Sequence, residues 1–477
     1  MRSVNALVAG EQVSPNGSVL DVVDPANAET FAQVPSLDAD AVTRAVDAAA
    51  AAAPGWAATP PQARAALLAR TADLLDARAE QAIDDLRREG GKPRAEAAGE
   101  WGKSVATFRY YAGLAGALDG RSFDGGTPGF TTVTRQEPIG PTVAITPWNV
   151  PAASPARKLA PALLAGNPMI VKPASATPIS AWHMVDALRE AGAPDGVAQT
   201  VSGSGRVVGN ALALDPRIAA VSFTGSTSVG LDLKHALSHT LTRIQLELGG
   251  KNAAVVLADA DLDAAADRII AAAYALAGQQ CTATSRVIVQ QDVHDALLER
   301  LVARAEALVP GDTAEASTTY GPLIDEAQLD TVDGFVRRAI DDGARVVTGG
   351  KRLDLVGTWY APTIVAGVDR TSELAREEVF GPVLAVLSVT DVDDAIEVLN
   401  GTPYGLSSAV HTSNLHHAWK VAGSSEHGVV AINGPTAGID LPVPFGGFAA
   451  SGTDSKEHGP ESLRFYTRLK SVTWGWA

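Results

Sequence analysis

A single cysteine, Cys281, occurs in 477 residues. One thiol cannot form a disulfide within the chain, which fits a reducing compartment, and it cannot build a zinc site of several thiolates. Apolar runs approaching about 18 residues are missing, apart from alanine-rich stretches that read as helices. Met1 to Gly10 hold no apolar core of signal-peptide length. Positive charge is scarce: 38 Lys and Arg stand against 54 Asp and Glu, a net charge of −16. So acidic a chain is not drawn to phosphate backbones or anionic membrane surfaces, and the charge keeps it in solution. The expectation is a cytoplasmic protein without nucleic-acid or membrane partners.

What is present is a foldable chain. A hydrophobic fraction of 46% with 19% charged residues excludes disorder, and the length implies roughly two to four domains. Ser36 to Leu118 is rich in Ala, Leu, Arg and Glu. Ala66, Leu67, Leu68, Ala72, Leu74 and Leu75 recur near helical spacing there, so amphipathic helices are expected, punctuated at Pro54-Gly55, Pro60-Pro61 and Gly90 to Pro93. From Thr131 the pattern changes. Short apolar runs at Pro141 to Thr146, Met169 to Lys172 and Ala219 to Thr224 suit buried parallel strands. Helical stretches at Pro155 to Leu164 and Ile179 to Ala191 separate them. This alternation predicts an α/β doubly wound sheet. A second α/β series starts near Leu248, with strands at Ala253 to Leu257 and Arg286 to Val289 around a helix from Leu262 to Leu276.

Three segments carry the chemistry. Cys281 lies in Gly278-Gln279-Gln280-Cys281-Thr282, at a helix-to-strand junction. A lone cysteine is commonly a small buried hydrophobe; among Gly, Gln and Thr it is instead a candidate nucleophile and leaving group. Glu247, flanked by leucines and followed by two glycines, is either a strand-end carboxylate facing water or a half-buried general base. Asn149, in Pro147-Trp148-Asn149-Val150-Pro151, is either a turn residue or a donor to a developing oxyanion.

In order along the chain, PWNVP, LELGGKN and GQQCTATSR resemble the motifs of the aldehyde dehydrogenase superfamily. The separation of Glu247 and Cys281, 34 positions (281 − 247), also matches many members. Further matching stretches are Phe223 to Ser226, Glu377 to Pro382, Pro403 to Leu406 and Pro444 to Gly447. The resemblance runs from about residue 15 to the C-terminus. It implies that Cys281 attacks an aldehyde, that Asn149 and the Cys281 N–H hold the oxyanion, and that Glu247 activates water to release a carboxylic acid from a thioester. NAD or NADP is the implied cofactor, and no metal is needed.

Ser222 to Gly230 reads as strand, glycine turn and helix start, suited to a pyrophosphate, although Gly225 to Gly230 is not the usual dinucleotide spacing. Gly205 and Gly209 belong to a second glycine cluster that on its own is an ordinary loop. By resemblance the cofactor contacts are Ile145, Thr146, Pro147, Trp148, Lys172, Ser175, Gly205, Gly209, Phe223, Gly225, Ser226, Leu248, Gly249, Glu378 and Phe380. Where relatives often carry a glutamate that would repel a 2′-phosphate, this chain has Ser175, so NADP is expected to be accepted.

Arg157 lies eight residues beyond Asn149 (157 − 149). In succinic semialdehyde dehydrogenases an arginine at the matching place binds the distal carboxylate; the alternative is a surface arginine. With CTATSR and Pro435 to Gly438, the chain resembles succinic and 2-oxoglutarate semialdehyde dehydrogenases. A short carboxylate-bearing aldehyde is therefore expected, with Arg157, Gln280, Thr282 and Phe445 around it. One departure is Phe448-Ala449-Ala450-Ser451-Gly452, where many relatives carry a lysine.

The resemblance implies an aldehyde dehydrogenase fold with a Rossmann-like cofactor domain (1–119 and 139–247), an α/β catalytic domain (248–430), a return segment (431–455) and a small β oligomerisation arm (120–138 and 456–477). Such arms imply a homodimer or homotetramer. Two rival readings are a CoA-acylating enzyme, against which Glu247 argues, and a non-catalytic binding protein on the same fold, against which the intact Cys281, Glu247 and Asn149 argue.

Overall fold

Residues 1–124 and 127–476 are described by the computed structural model. Gly125, Gly126 and Ala477, which fall in the expected arm, lie outside them. Seven strands form the first large sheet, in the order Arg243–Glu247, Ala220–Thr224, Thr142–Ile145, Met169–Lys172, Ala198–Thr200, Ala6–Val8 and Glu11–Val13. The first five run parallel and the last two antiparallel. The parallel strands are continuously apolar because both faces are covered. Val143, Ile170 and Val221 pack towards one helix layer, while Ala144, Met169 and Val171, one residue out of phase, pack towards the other.

The expected helices appear as Ala39–Ala58, Pro61–Ala77, Ala79–Gly90 and Arg94–Ala112. Pro54 and Gly55 do not end the first one. Trp56, just beyond them, is buried and donates from its indole to the Leu163 carbonyl at 3.2 Å, which holds the last turn in place. The third helix does end on glycine: Gly91 has φ +64°. A three-stranded sheet of Arg2–Ser3, Glu29–Pro35 and Val19–Asp24 corresponds to nothing expected from the sequence, since its short strands have no clear alternation.

The second large sheet runs Arg345–Thr348, Thr363–Ala366, Val383–Val389, Arg286–Gln290, Ala253–Val256, Ser407–His411 and Val429–Ile432, parallel except at its first pair. Ala253 pairs with Arg286, and Arg286 with Ala385. Three strand beginnings are thus aligned at one edge. That edge faces the carboxyl ends of the first sheet, the usual ligand side of an open parallel sheet. The expected arm is an antiparallel sheet in which Phe130–Pro138 pairs over its whole length with Thr467–Gly475, and with Ser122–Asp124 on its other side. No helix among the described residues is long and apolar enough to cross a membrane.

Candidate active site

Asn149, Glu247 and Cys281 line one cavity of about 890 Å³ between the two large sheets. Glu247 ends the strand Arg243–Glu247, and its register partner Thr224 ends the next. Asn149 follows the strand Thr142–Ile145 by four residues. Cys281 comes from the other side, in the turn before Arg286–Gln290.

The turn that presents Cys281 is unusual. The helix Leu262–Tyr274 stops before Leu276, because Leu276, Ala277 and Gly278 all take left-handed backbone with φ of 52°, 53° and 71°. Three successive left-handed residues reverse the chain, at a steric cost for the two that are not glycine. The Glu96 carboxylate offsets part of it by accepting from the Leu276 N–H at 3.1 Å. Burial raises Glu96 to about 7, with the Leu276 N–H and Lys92 opposing that rise. Beyond the turn, Asn252 donates to the carbonyls of Cys281 at 2.7 Å and Ala283 at 2.9 Å, while its own side-chain oxygen accepts from the Ser407 N–H. Thr436 donates to the Thr282 carbonyl at 2.8 Å, joining the Pro435 to Gly438 stretch to the cysteine loop.

Asn149 is held equally firmly. Its Nδ2 donates to the Gln279 carbonyl at 2.8 Å, leaving the second N–H of the amide free. Its own carbonyl accepts from Lys92 Nζ at 2.6 Å, and Lys92 is also ion-paired with buried Glu100. The other Glu100 oxygen accepts from the N–H groups of Ala152 and Ala153, at the start of the helix Ala153–Ala165. The segment around the amide is therefore fixed from behind.

Glu247 is only 2% exposed, more deeply placed than the half-buried position considered above, and neither carboxylate oxygen has a hydrogen-bond partner among the described residues. Burial raises it well above the usual carboxylate range; nearby Glu457 adds to the rise, while Lys158, Lys456 and Arg157 oppose it. Burial likewise raises the Cys281 thiol to about 12, with Glu247 adding and Arg157 opposing. The resting site thus holds a neutral thiol beside a carboxyl group poised to exchange a proton. Behind them, Lys158 Nζ meets Glu457 Oε1 at 2.5 Å and Ser222 Oγ at 2.7 Å.

The same cavity is lined by Pro147, Trp148, Gly225, Ser226, Leu248, Gly249, Glu378, Phe380, Arg157 and Phe445. Trp148 and Phe380 meet edge to face at 5.4 Å, and Gln328 holds the Phe380 carbonyl at 2.8 Å. Glu378 accepts from the Gly250 N–H at 3.0 Å, and burial raises it to about 7. Ile145, Thr146 and Phe223 sit just outside the cavity wall. Lys172, Ser175, Gly205 and Gly209 are further along the sheet edge. There Ser175 Oγ donates to the Gly203 carbonyl at 3.1 Å, and burial lowers Lys172 to about 8. Gly205 and Gly209 bound a π-helical turn instead of an open loop.

Two expected neighbours are not on the cavity wall. Gln280 and Thr282 flank Cys281, but the tight turn exposes only the cysteine side chain to the cavity, and Thr282 is buried beneath it. Arg157 is not a surface arginine; it is half-buried, with its guanidinium 5.7 Å from the centre of the Phe445 ring. Where relatives carry a lysine after the paired glycines, this chain brings Lys456 from further on, donating to the Gly446 carbonyl at 2.5 Å and lying over Phe448. The sequence reading missed Lys92, Glu100, Lys158, Asn252 and Glu457. Charged residues on otherwise apolar helix faces were the available signal for the first three.

Two α/β sheets meeting edge to edge, with a thiol, a carboxyl and a carboxamide at the junction, define a covalent-catalysis scaffold. The chain belongs to the aldehyde dehydrogenase family, whose sequence pattern matches residues 12–472. It is 39% identical to an alpha-ketoglutarate semialdehyde dehydrogenase of Haloferax volcanii, covering 98% of each chain. It is 36% identical to a 2,5-dioxopentanoate dehydrogenase of Saccharolobus solfataricus over the full length of both. The crystal structure of an NADP-dependent enzyme of Escherichia coli superposes with a TM-score of 0.96 at 36% identity, covering 99% of this chain and 98% of that one.

Proposed function

We propose that the protein oxidises a short aldehyde bearing a distal carboxylate to the corresponding acid, with NAD or NADP as oxidant and a thioester on Cys281 as intermediate. The observation that carries this reading is the convergence of Cys281, Glu247, Asn149 and the half-buried cation Arg157 on one cavity. The residues present fit a dinucleotide. The helix Thr227–Ala236 begins at Ser226 with no side chain capping its N–H groups, and Trp148, Phe380 and Glu378 frame the space between it and Cys281. Residues 1–119 and 139–247 would form the cofactor domain, and 248–430 the catalytic domain.

Proton transfer from Cys281 towards Glu247 makes the nucleophile, since the thiol at about 12 does not ionise alone at neutral pH. Sulfur adds to the aldehyde carbon. The free N–H of Asn149 and the Cys281 backbone N–H hold the oxygen that becomes negative. The dinucleotide, when bound, accepts the hydride from that carbon. Glu247 then takes a proton from the water that attacks the thioester, and Cys281 leaves as the acid is released. Arg157 holds the far carboxylate and so fixes the aldehyde end at the sulfur.

Cofactor reduction by a semialdehyde, followed with NAD and with NADP and with and without CoA, tests the reading. Turnover without CoA is expected, with NADP accepted because Ser175 carries no charge. A strict requirement for CoA, or no reduction of either dinucleotide, would overturn it. In Glu247→Gln the expected trace is one equivalent of reduced cofactor per site followed by a stall, with the acyl group recovered on Cys281 by mass spectrometry.

A further inference from the structure

A second cavity opens beside the first. Arg157 belongs to the walls of both, and the outer one is otherwise formed by the helix Arg94–Ala112, through Lys103, Thr107 and Tyr110, and by the segment 439–443 with His458. It forms a funnel leading inward to Cys281. His458 is the anomaly in its wall. It is 3% exposed, and neither ring nitrogen has a hydrogen-bond partner among the described residues. Its backbone is left-handed, with φ 60°. Its ring lies 5.6 Å from Phe445, the ring that Arg157 also covers. Burial lowers its affinity for a proton to a pKa of about 2. Arg157 and Lys103 act in the same direction, and the Asp440 carbonyl opposes them without completing a hydrogen bond. The imidazole is therefore neutral, offering one donor and one acceptor. Leaving both unused is costly, and the cavity beside it is where a ligand can use them.

We propose, resting on the function given above, that Arg157 and His458 form a two-point reader of the far end of the substrate. Arg157 takes the terminal carboxylate. His458 hydrogen-bonds an oxygen on the adjacent carbon, so that a 2-oxo acid aldehyde is preferred over the same chain without that oxygen. The two side chains adjoin one phenyl ring, as adjacent groups on one substrate require. Lys103 adds positive charge at the mouth against the single carboxylate there, Asp440.

The test compares two five-carbon aldehydes, 2,5-dioxopentanoate and 5-oxopentanoate, which share the carboxylate and differ only in the 2-oxo group. The wild-type protein is expected to favour the first in kcat/KM by about tenfold, the value of one hydrogen bond to a buried group. His458→Leu is expected to erase that ratio, mainly through KM. His458→Asn is expected to restore part of it, because an amide also donates and accepts, and Asn tolerates positive φ. A wild-type ratio near one, or a ratio unchanged in His458→Leu, would overturn the role of His458 while the dehydrogenase reading stood. Failure of the wild-type protein to oxidise either aldehyde would instead remove the function on which this inference rests. Should the leucine variant not fold, the wild-type and asparagine ratios still decide.

Discussion

Two buried groups at the site pull their surroundings in opposite directions. Glu247 gains its raised pKa first from burial and then from Glu457. A carboxyl group works as a base only when ionised, so turnover is expected to rise with pH through and above the ordinary carboxylate range. Glu457→Gln removes a negative neighbour and leaves the Lys158 cation in place; both changes ease ionisation of Glu247. The rising limb of the pH–rate profile is expected to move to lower pH, and a shift upward would refute the coupling. Lys251 is the converse case. Its ammonium nitrogen is buried without a partner, and burial, with Arg286 adding, lowers it to about 7 from 10.5. A group with a depressed pKa in the fold costs stability as pH falls from the unfolded value towards the folded one, because the unfolded chain takes up the proton first. Lys251→Met is therefore expected to raise the melting temperature, and by more at neutral than at alkaline pH, as followed by thermal unfolding at the two pH values. At this scale the sequence was informative about what reacts and silent about what positions it. Cys281, Glu247 and Asn149 stood out because their chemistry is odd for their neighbours. Asn252 and Lys92 did not, because their partners are backbone carbonyls brought close only by folding.

Among the elements, the turn before Cys281 carries the tightest constraint. Gly278 has φ +71°, and a Cβ there would overlap the Gly381 carbonyl that precedes the strand Val383–Val389. Gly278→Ala is expected to cost at least about 1 kcal/mol from backbone strain alone, with more from the overlap. It should depress kcat further than a neutral surface change does, since the sulfur moves with the turn; kinetics beside a thermal melt would check both. The sequence showed a glycine here and a helix to Leu276, two residues too long. Periodicity follows side-chain polarity, and Leu276 remains apolar while its backbone turns left-handed. Strands were easier to read, because parallel strands covered on both faces are short unbroken apolar runs: Met169–Lys172 falls where expected, and Thr142–Ile145 and Ala220–Thr224 lie inside the expected runs. The N-terminal strands, half-exposed and only two to seven residues long, offered no such run.

For the whole molecule, the sheet of Phe130–Pro138 and Thr467–Gly475 stands apart. Beyond Thr467 its last strand is exposed along its length, and Phe123, Phe130, Leu469, Val472 and Trp474 present apolar surface to solvent. A ribbon of this kind is stable when a second copy covers it. Leu469→Ser with Trp474→Ser is expected to yield a smaller species in sedimentation velocity than the unaltered protein, and an unchanged sedimentation coefficient would remove the arm from the assembly. The lone sulfhydryl has a consequence of its own. Because no other thiol exists in the chain, an alkylating reagent that adds one mass increment per molecule counts competent sites directly. The same solitude makes the protein vulnerable to peroxide. A sulfenate at Cys281 has no resolving partner within its own chain, so it must be rescued by an external thiol or advance to the irreversible acids.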